Sequence, residues 1–237
     1  MKTRKEINQS KVGLVGHSEG GMIAQMVAST RKDINFIVLL AAPGFRGDSL
    51  LLIQQELIER AMGVTESDIK RSKSITKHAY QLILNSQNTS TLKADLLKYG
   101  NAILADKKDS VRMSKIKPPQ MSHQDFLVAN TQVISSPWFK YILKYDPAKV
   151  LQKVNCAVLA LNGGKDLQIP AKENLSAIAA ALKKGGNDHV TTLELPGLNH
   201  LFQECKTGSP SEYATIEQTF SPKALSVISD WIYKQTK

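Results

Sequence analysis

Val12-Gly13-Leu14-Val15-Gly16-His17-Ser18-Glu19-Gly20-Gly21-Met22-Ile23-Ala24-Gln25-Met26-Val27-Ala28 is the stretch on which the fold turns. A short apolar run, β-branched in part, enters Gly16-His17-Ser18-Glu19-Gly20, and an apolar helix-like segment leaves it. The G-x-S-x-G spacing predicts a reversal from strand to helix so sharp that the middle serine is held above the sheet. Small residues on either side keep the backbone from clashing. A serine held this way is a candidate nucleophile. The other use of a glycine-bearing strand-to-helix turn is a phosphate site at the helix N-terminus, but the chain has no G-x-x-x-x-G-K-[ST] there.

Outward from the turn the same grammar repeats. Phe36-Ile37-Val38-Leu39-Leu40-Ala41-Ala42 is a continuous apolar run ending at Pro43-Gly44, the pattern of a strand buried on both faces of a parallel sheet. Ala157 to Leu161 ends at Asn162-Gly163-Gly164, Asn174 to Leu182 reads as helix, and Val190 to Leu195 is a strand ending at Pro196-Gly197. Strands alternating with helices predict an α/β fold with a parallel sheet and helices on both faces. Between about Phe45 and Trp138 the periodicity changes to successive helices over Leu50–Met62, Ser67–Asn85, Thr91–Ala105 and Gln124–Ile134. The expected domains are therefore a core of residues 1–46 and 139–237 and an inserted helical cap of residues 47–138. Lys107 to Met121, basic and carrying Pro118-Pro119, is expected to be a mobile connection. Pro222 to Tyr233 is an amphipathic helix with Ser221 as its expected N-cap.

With 237 residues and 42% hydrophobic content the chain can bury one good core. Its longest apolar run, Phe36 to Pro43, is far below the roughly 18 residues of a membrane helix, so no membrane span is expected. Met1 to Glu6 lacks the apolar segment of a signal peptide, which predicts a soluble chain; a longer parent could be exported, and the compartment stays open. The net charge of +10 would suit acidic partners. Lysines nevertheless spread along the sequence, and Lys70, Arg71, Lys73 and Lys77 read as a solvated helix face, so no nucleic-acid partner is expected. Cys156 and Cys205 lack C-x-x-C spacing and are read as free thiols.

A serine hydroxyl is a poor nucleophile at neutral pH unless a base and an orienting acid reach it. In parallel sheets such groups gather beyond the carboxyl ends of strands. Asp166 follows one strand in Gly163-Gly164-Lys165-Asp166, and His200 follows the last in Pro196-Gly197-Leu198-Asn199-His200. Asp166 alone could be a turn-capping aspartate and His200 a loop histidine, but together they complete the chain order Ser, Asp, His. The backbone N–H of Glu19, next after the serine, should supply one oxyanion donor. Its carboxylate would serve as a salt-bridge partner or a contact for a cationic substrate group. His17 is expected to turn away from the site, and His78, His123 and His189 are not placed as bases. No metal or organic cofactor is expected.

Gly13 to Met22, Val38 to Gly44, Leu161 to Asp166 and Gly197 to Phe202, in that order, resemble the α/β-hydrolases, in particular bacterial esterases near the serine aminopeptidase-like group. The resemblance implies a mostly parallel eight-stranded sheet with a cap inserted after the strand that follows the elbow. About four C-terminal strands of that sheet fall in this chain. Carried over, Ser18 is the nucleophile, His200 the general base and then acid, Asp166 the orienting acid, and Glu19 N–H an oxyanion donor. The family's first strands and second oxyanion donor have no counterpart. Met1 to Ile7 is accordingly expected to be the end of a helix in a longer hydrolase, and Val12 to Val15 an exposed sheet edge open to self-association. The implied reaction is cleavage of a small-molecule carboxylic ester through an acyl-enzyme; peptide and thioester substrates fit the same elbow. The competing class is an incomplete or non-catalytic module that binds through the cap and sheet edge.

Overall fold

The computed structural model describes residues 4–237, and only the backbone over 113–116. Four strands, β1 (Leu14–His17), β2 (Phe36–Leu40), β3 (Ala157–Gly163) and β4 (Val190–Leu195), form one parallel sheet in the order β1-β2-β3-β4. The two central strands alternate their side chains between two apolar layers, which is why they read as unbroken hydrophobic runs. Ile37, Leu39, Val158 and Ala160 face α1 (Glu19–Thr30), α8 (Pro147–Leu151) and α9 (Ala171–Lys184). Phe36, Val38, Leu40, Leu159 and Leu161 face α10 (Pro222–Thr236), through Val227, Ile228 and Trp231, and the loop at Leu198 and Phe202. β1 lies at one edge, where Val15 is 55% exposed.

The described chain falls into two compact units, the residues up to Ile69 with Asp146–Lys237, and Lys70–Tyr145. α2 (Gly47–Ala61) lies in the first. The second holds most of α3 (Glu66–Asn85), then α4 (Thr89–Ala105), α5 (Lys107–Ile116), α6 (His123–Ile134) and α7 (Pro137–Lys144). Its buried residues include the stripe Leu92, Leu96, Gly100 and Ile103 along α4, with Ile83 of α3 and Leu143 of α7. Gly100 is needed there because a Cβ would collide with Leu127. Asn88, Ser122 and Ser136 accept hydrogen bonds from first-turn amides of α4, α6 and α7, so each of these helices starts at a side-chain cap.

Two local expectations are corrected, and a third, the N-cap at Ser221, holds without its side-chain bond. Lys107–Ile116 is helical: Asp106 accepts from the amides of Lys108 and Asp109, and the buried Asp109 carboxylate bonds Arg71 at 2.7 Å and Arg112 at 3.0 Å. Polar anchoring of this kind leaves no hydrophobic period to read. Arg4–Ile7 is a turn closed by Ile7 N–H to the Arg4 carbonyl, not a helix end, and Met1–Thr3 lie outside the described residues. Ser221 occupies the N-cap of α10 with Pro222 following, but its buried hydroxyl makes no cap bond.

Candidate active site

Ser18 joins β1 to α1 with φ 52° and ψ −116°, a left-handed conformation that a non-glycine residue holds at a cost of about 1–3 kcal/mol. Its amide donates to the Leu40 carbonyl at 2.8 Å, and the Ala41 amide donates to the Leu161 carbonyl at 2.8 Å. The elbow is thus tied through β2 to β3. The close approach inside it is made by Gly16, where a Cβ would strike the Gly20 backbone, and by Gly21, where one would strike the Ala42 side chain. A Cβ on Gly20 would meet nothing, so the second small residue the elbow requires is Gly21. The Gly21 and Met22 amides reach back to the Ser18 carbonyl. Among the described residues the Glu19 and Gly20 amides donate no hydrogen bond, leaving them directed at the mouth of the helix. The Glu19 side chain is exposed.

Asp166 and His200 come together. His200 Nδ1 donates to Asp166 Oδ2 at 2.8 Å, with both residues only 4% exposed. Asp166 Oδ1 meanwhile accepts from the amides of Gln168 at 2.8 Å and Ile169 at 2.9 Å. One carboxylate oxygen therefore closes the turn while the other meets the histidine. Backbone contacts join the two loops: Lys165 N–H donates to the Leu198 carbonyl at 2.9 Å, and Gly163 leaves room for the backbone of Leu198 and Asn199. Asn199, fully buried, accepts from the amides of Leu201 and Gln203, and Phe202 takes φ 58°. The non-glycine residues with positive φ among those described are Ser18, Ala41 and Phe202, all beyond the carboxyl ends of the strands. The strained residues thus share one end of the sheet with Asp166 and His200. Among the described residues the Ser18 hydroxyl forms no hydrogen bond.

The link between the elbow and the histidine loop runs through His17, which the sequence expectation turned away from the site. Its Nε2 donates to the His200 carbonyl at 2.8 Å, and its ring lies 4.8 Å from the His200 ring. Burial holds the His17 imidazole below the ordinary histidine pKa, and a bond to a carbonyl oxygen places a proton on Nε2. Two more residues take part that the sequence reading does not single out. Asn162 donates from Nδ2 to Asp166 Oδ2 at 3.4 Å and to the Ile169 carbonyl at 3.2 Å. Asn174 donates to Asn162 Oδ1 and the Ala42 carbonyl and accepts from the Gly44 amide at 2.6 Å. Only Asn162, at the end of an apolar strand before glycine, offered a signal, that of a polar residue where a buried strand stops.

The remaining polar candidates lie elsewhere. His78 packs on Tyr99, and the Cys156 thiol is pushed up to about 11 by burial, which leaves it unreactive. A cavity of about 860 Å³ opens at the opposite end of the sheet, beside Asn35, Cys156 and His189, and is lined by none of Ser18, Asp166 and His200.

A parallel sheet with helices on both faces, its elbow serine, and an acid and histidine beyond successive strands define the class as an α/β-hydrolase. The chain belongs to the family described as BAAT / acyl-CoA thioester hydrolase C terminal, whose profile matches residues 1–124. Similar solved structures include VinJ, with 12% identity, a TM-score of 0.47, and coverage of 95% of this chain and 67% of that one. MGS-M2, an α/β hydrolase enzyme from a Medee basin deep-sea metagenome library, has 15% identity, a TM-score of 0.47 and coverage of 97% and 67%. The monoacylglycerol lipase of Paleococcus ferrophilus has 15% identity, a TM-score of 0.41 and coverage of 94% and 69%. The chain spans about two thirds of the length of each. No curated protein matches its sequence.

Proposed function

We propose that this chain carries a serine acyl-hydrolase centre, with Ser18 as nucleophile, His200 as base and Asp166 as orienting acid. The observation that carries the reading is the buried 2.8 Å contact from His200 Nδ1 to Asp166 Oδ2, at the same end of the sheet as the strained Ser18. With its proton held on Nδ1, the neutral imidazole has its lone pair on Nε2, the nitrogen needed to accept the Ser18 hydroxyl proton. Ser18 Oγ adds to an acyl carbonyl, and the oxyanion that forms takes the Glu19 amide as a donor. His200 returns the proton to the departing oxygen or sulfur. Water, deprotonated by the same nitrogen, then releases the acid from acyl-Ser18.

A carboxylic ester is the general substrate of such a centre. The family description favours a thioester, an acyl-CoA among them, and the chemistry suits it: a thiol of pKa about 8.5 leaves with less help from the acid than an alcohol does. The test combines a fluorophosphonate probe with release of nitrophenol from a short nitrophenyl ester and of free thiol from acyl-CoA. The wild type should label and turn over, and Ser18→Ala should lose the label and about 10³-fold or more of the rate. A folded wild type that neither labels nor turns over either substrate would instead make the chain a binding module.

A further inference from the structure

The helical unit Lys70–Tyr145 contains thirteen lysines and arginines against four aspartates and no glutamate, so it holds +9 of the chain's +10 while the rest of the chain is nearly neutral. Basic residues occur throughout the chain; what sets this unit apart is its scarcity of acidic residues, which leaves its positive charge unbalanced. One of its four acids is already neutralised, since Asp109 is buried between Arg71 and Arg112. Lys107, Lys108 and Lys144 are exposed. The same unit presents apolar side chains to solvent. Trp138 and Tyr141, 41% and 43% exposed, stack one helical turn apart on α7 with centroids 5.4 Å apart and rings 10° from parallel. Lys144 follows one turn later, and Val128 and Val133 of the preceding helix are exposed as well.

We infer that the helical unit docks on the surface of a bilayer that contains anionic phospholipid. Indole and phenol rings prefer the headgroup layer, where the apolar body leaves water and the polar edge stays wet. Clustered lysines are drawn to the negative surface potential of such a bilayer. A nucleic acid would satisfy the lysines but give exposed valines no place to shed water, so the aromatic and aliphatic exposure selects lipid. Among the described residues no helix is long and apolar enough to cross a membrane, which makes the contact a peripheral one.

Vesicle co-sedimentation of the full chain tests this. Vesicles of phosphatidylcholine with about 30% phosphatidylserine should bind about tenfold more protein than phosphatidylcholine alone at about 0.1 M salt, and the excess should collapse near 0.5 M. Tryptophan emission should shift to the blue on binding. Trp138→Ser with Tyr141→Ser should abolish the shift and weaken binding several-fold. Lys107→Glu with Lys108→Glu should weaken it without loss of fold, because acids suit the first turn of α5. Equal binding to neutral and anionic vesicles, no binding to either, or binding to duplex DNA without binding to vesicles overturns the inference.

Discussion

The carboxylate of Asp166 is divided between two tasks: Oδ2 receives His200 Nδ1 at 2.8 Å while Oδ1 closes the turn through the amides of Gln168 and Ile169. Asp166→Asn separates them. An asparagine oxygen can still cap the turn, but its NH₂ would face Nδ1 and favour the wrong imidazole tautomer. Turnover by the proposed centre should fall by about 10⁴-fold with little change in melting temperature. Parallel assays of acyl hydrolysis and thermal unfolding check the pair of outcomes; a large loss of stability with a small loss of rate would reverse the assignment.

The elbow glycines should respond in an order that the motif does not suggest. Gly20→Ala adds a Cβ into open space in the first turn of α1 and should be neutral or stabilise by up to about 1 kcal/mol. Gly21→Ala drives a methyl into Ala42 and should destabilise by about 1–3 kcal/mol. Denaturant unfolding of the two variants measures the difference, and equal effects would show that the contact at Ala42 relaxes freely.

His17 should make stability fall as the solution is acidified. Burial lowers its folded-state pKa below the ordinary 6.5, so between those two values the unfolded chain binds more protons than the native one. Its contribution is full above pH 6.5 and is lost as pH drops through the folded pKa. His17→Gln keeps an N–H donor near the Nε2 position without a titrating ring. Melting curves from pH 7.5 to 5 should therefore slope less steeply in this variant than in the wild type; identical slopes would remove His17 from the linkage.

Asn174, fully buried, bonds Ala42, Gly44 and Asn162 at once. Asn174→Ala would leave those three partners buried and unpaired, a loss of about 3 kcal/mol or more, or roughly 6–12 °C in melting temperature for a chain of this size. Calorimetry reads it directly. A shift under about 2 °C would mean that water replaces the side chain.

What could be read in advance follows the range of each interaction. The elbow, the strands at Phe36 and Ala157, and the positions of Asp166 and His200 after strand ends are marked by residue patterns a few positions long, so local pattern exposes them. α5 was read as a connection because Asp106, Asp109, Arg71 and Arg112 hold it instead of an apolar stripe. α8, only Pro147–Leu151, is too short to show a period. The side chain of His17 was misdirected because alternation along a strand says which face a residue takes, not which loop arrives there.

By itself the sequence determined the class of fold, the turn that strains Ser18, and the placing of Asp166 and His200 after later strands, because backbone sterics and apolar periodicity are local. Only the tertiary structure decided that Gly21 and not Gly20 is the tight contact, that Asn162 and Asn174 brace the acid, and that His17 holds the His200 loop. Each of these depends on which distant backbone or side chain fills the space beside a residue, and a hydrogen bond between positions 17 and 200 leaves no periodic trace in the chain.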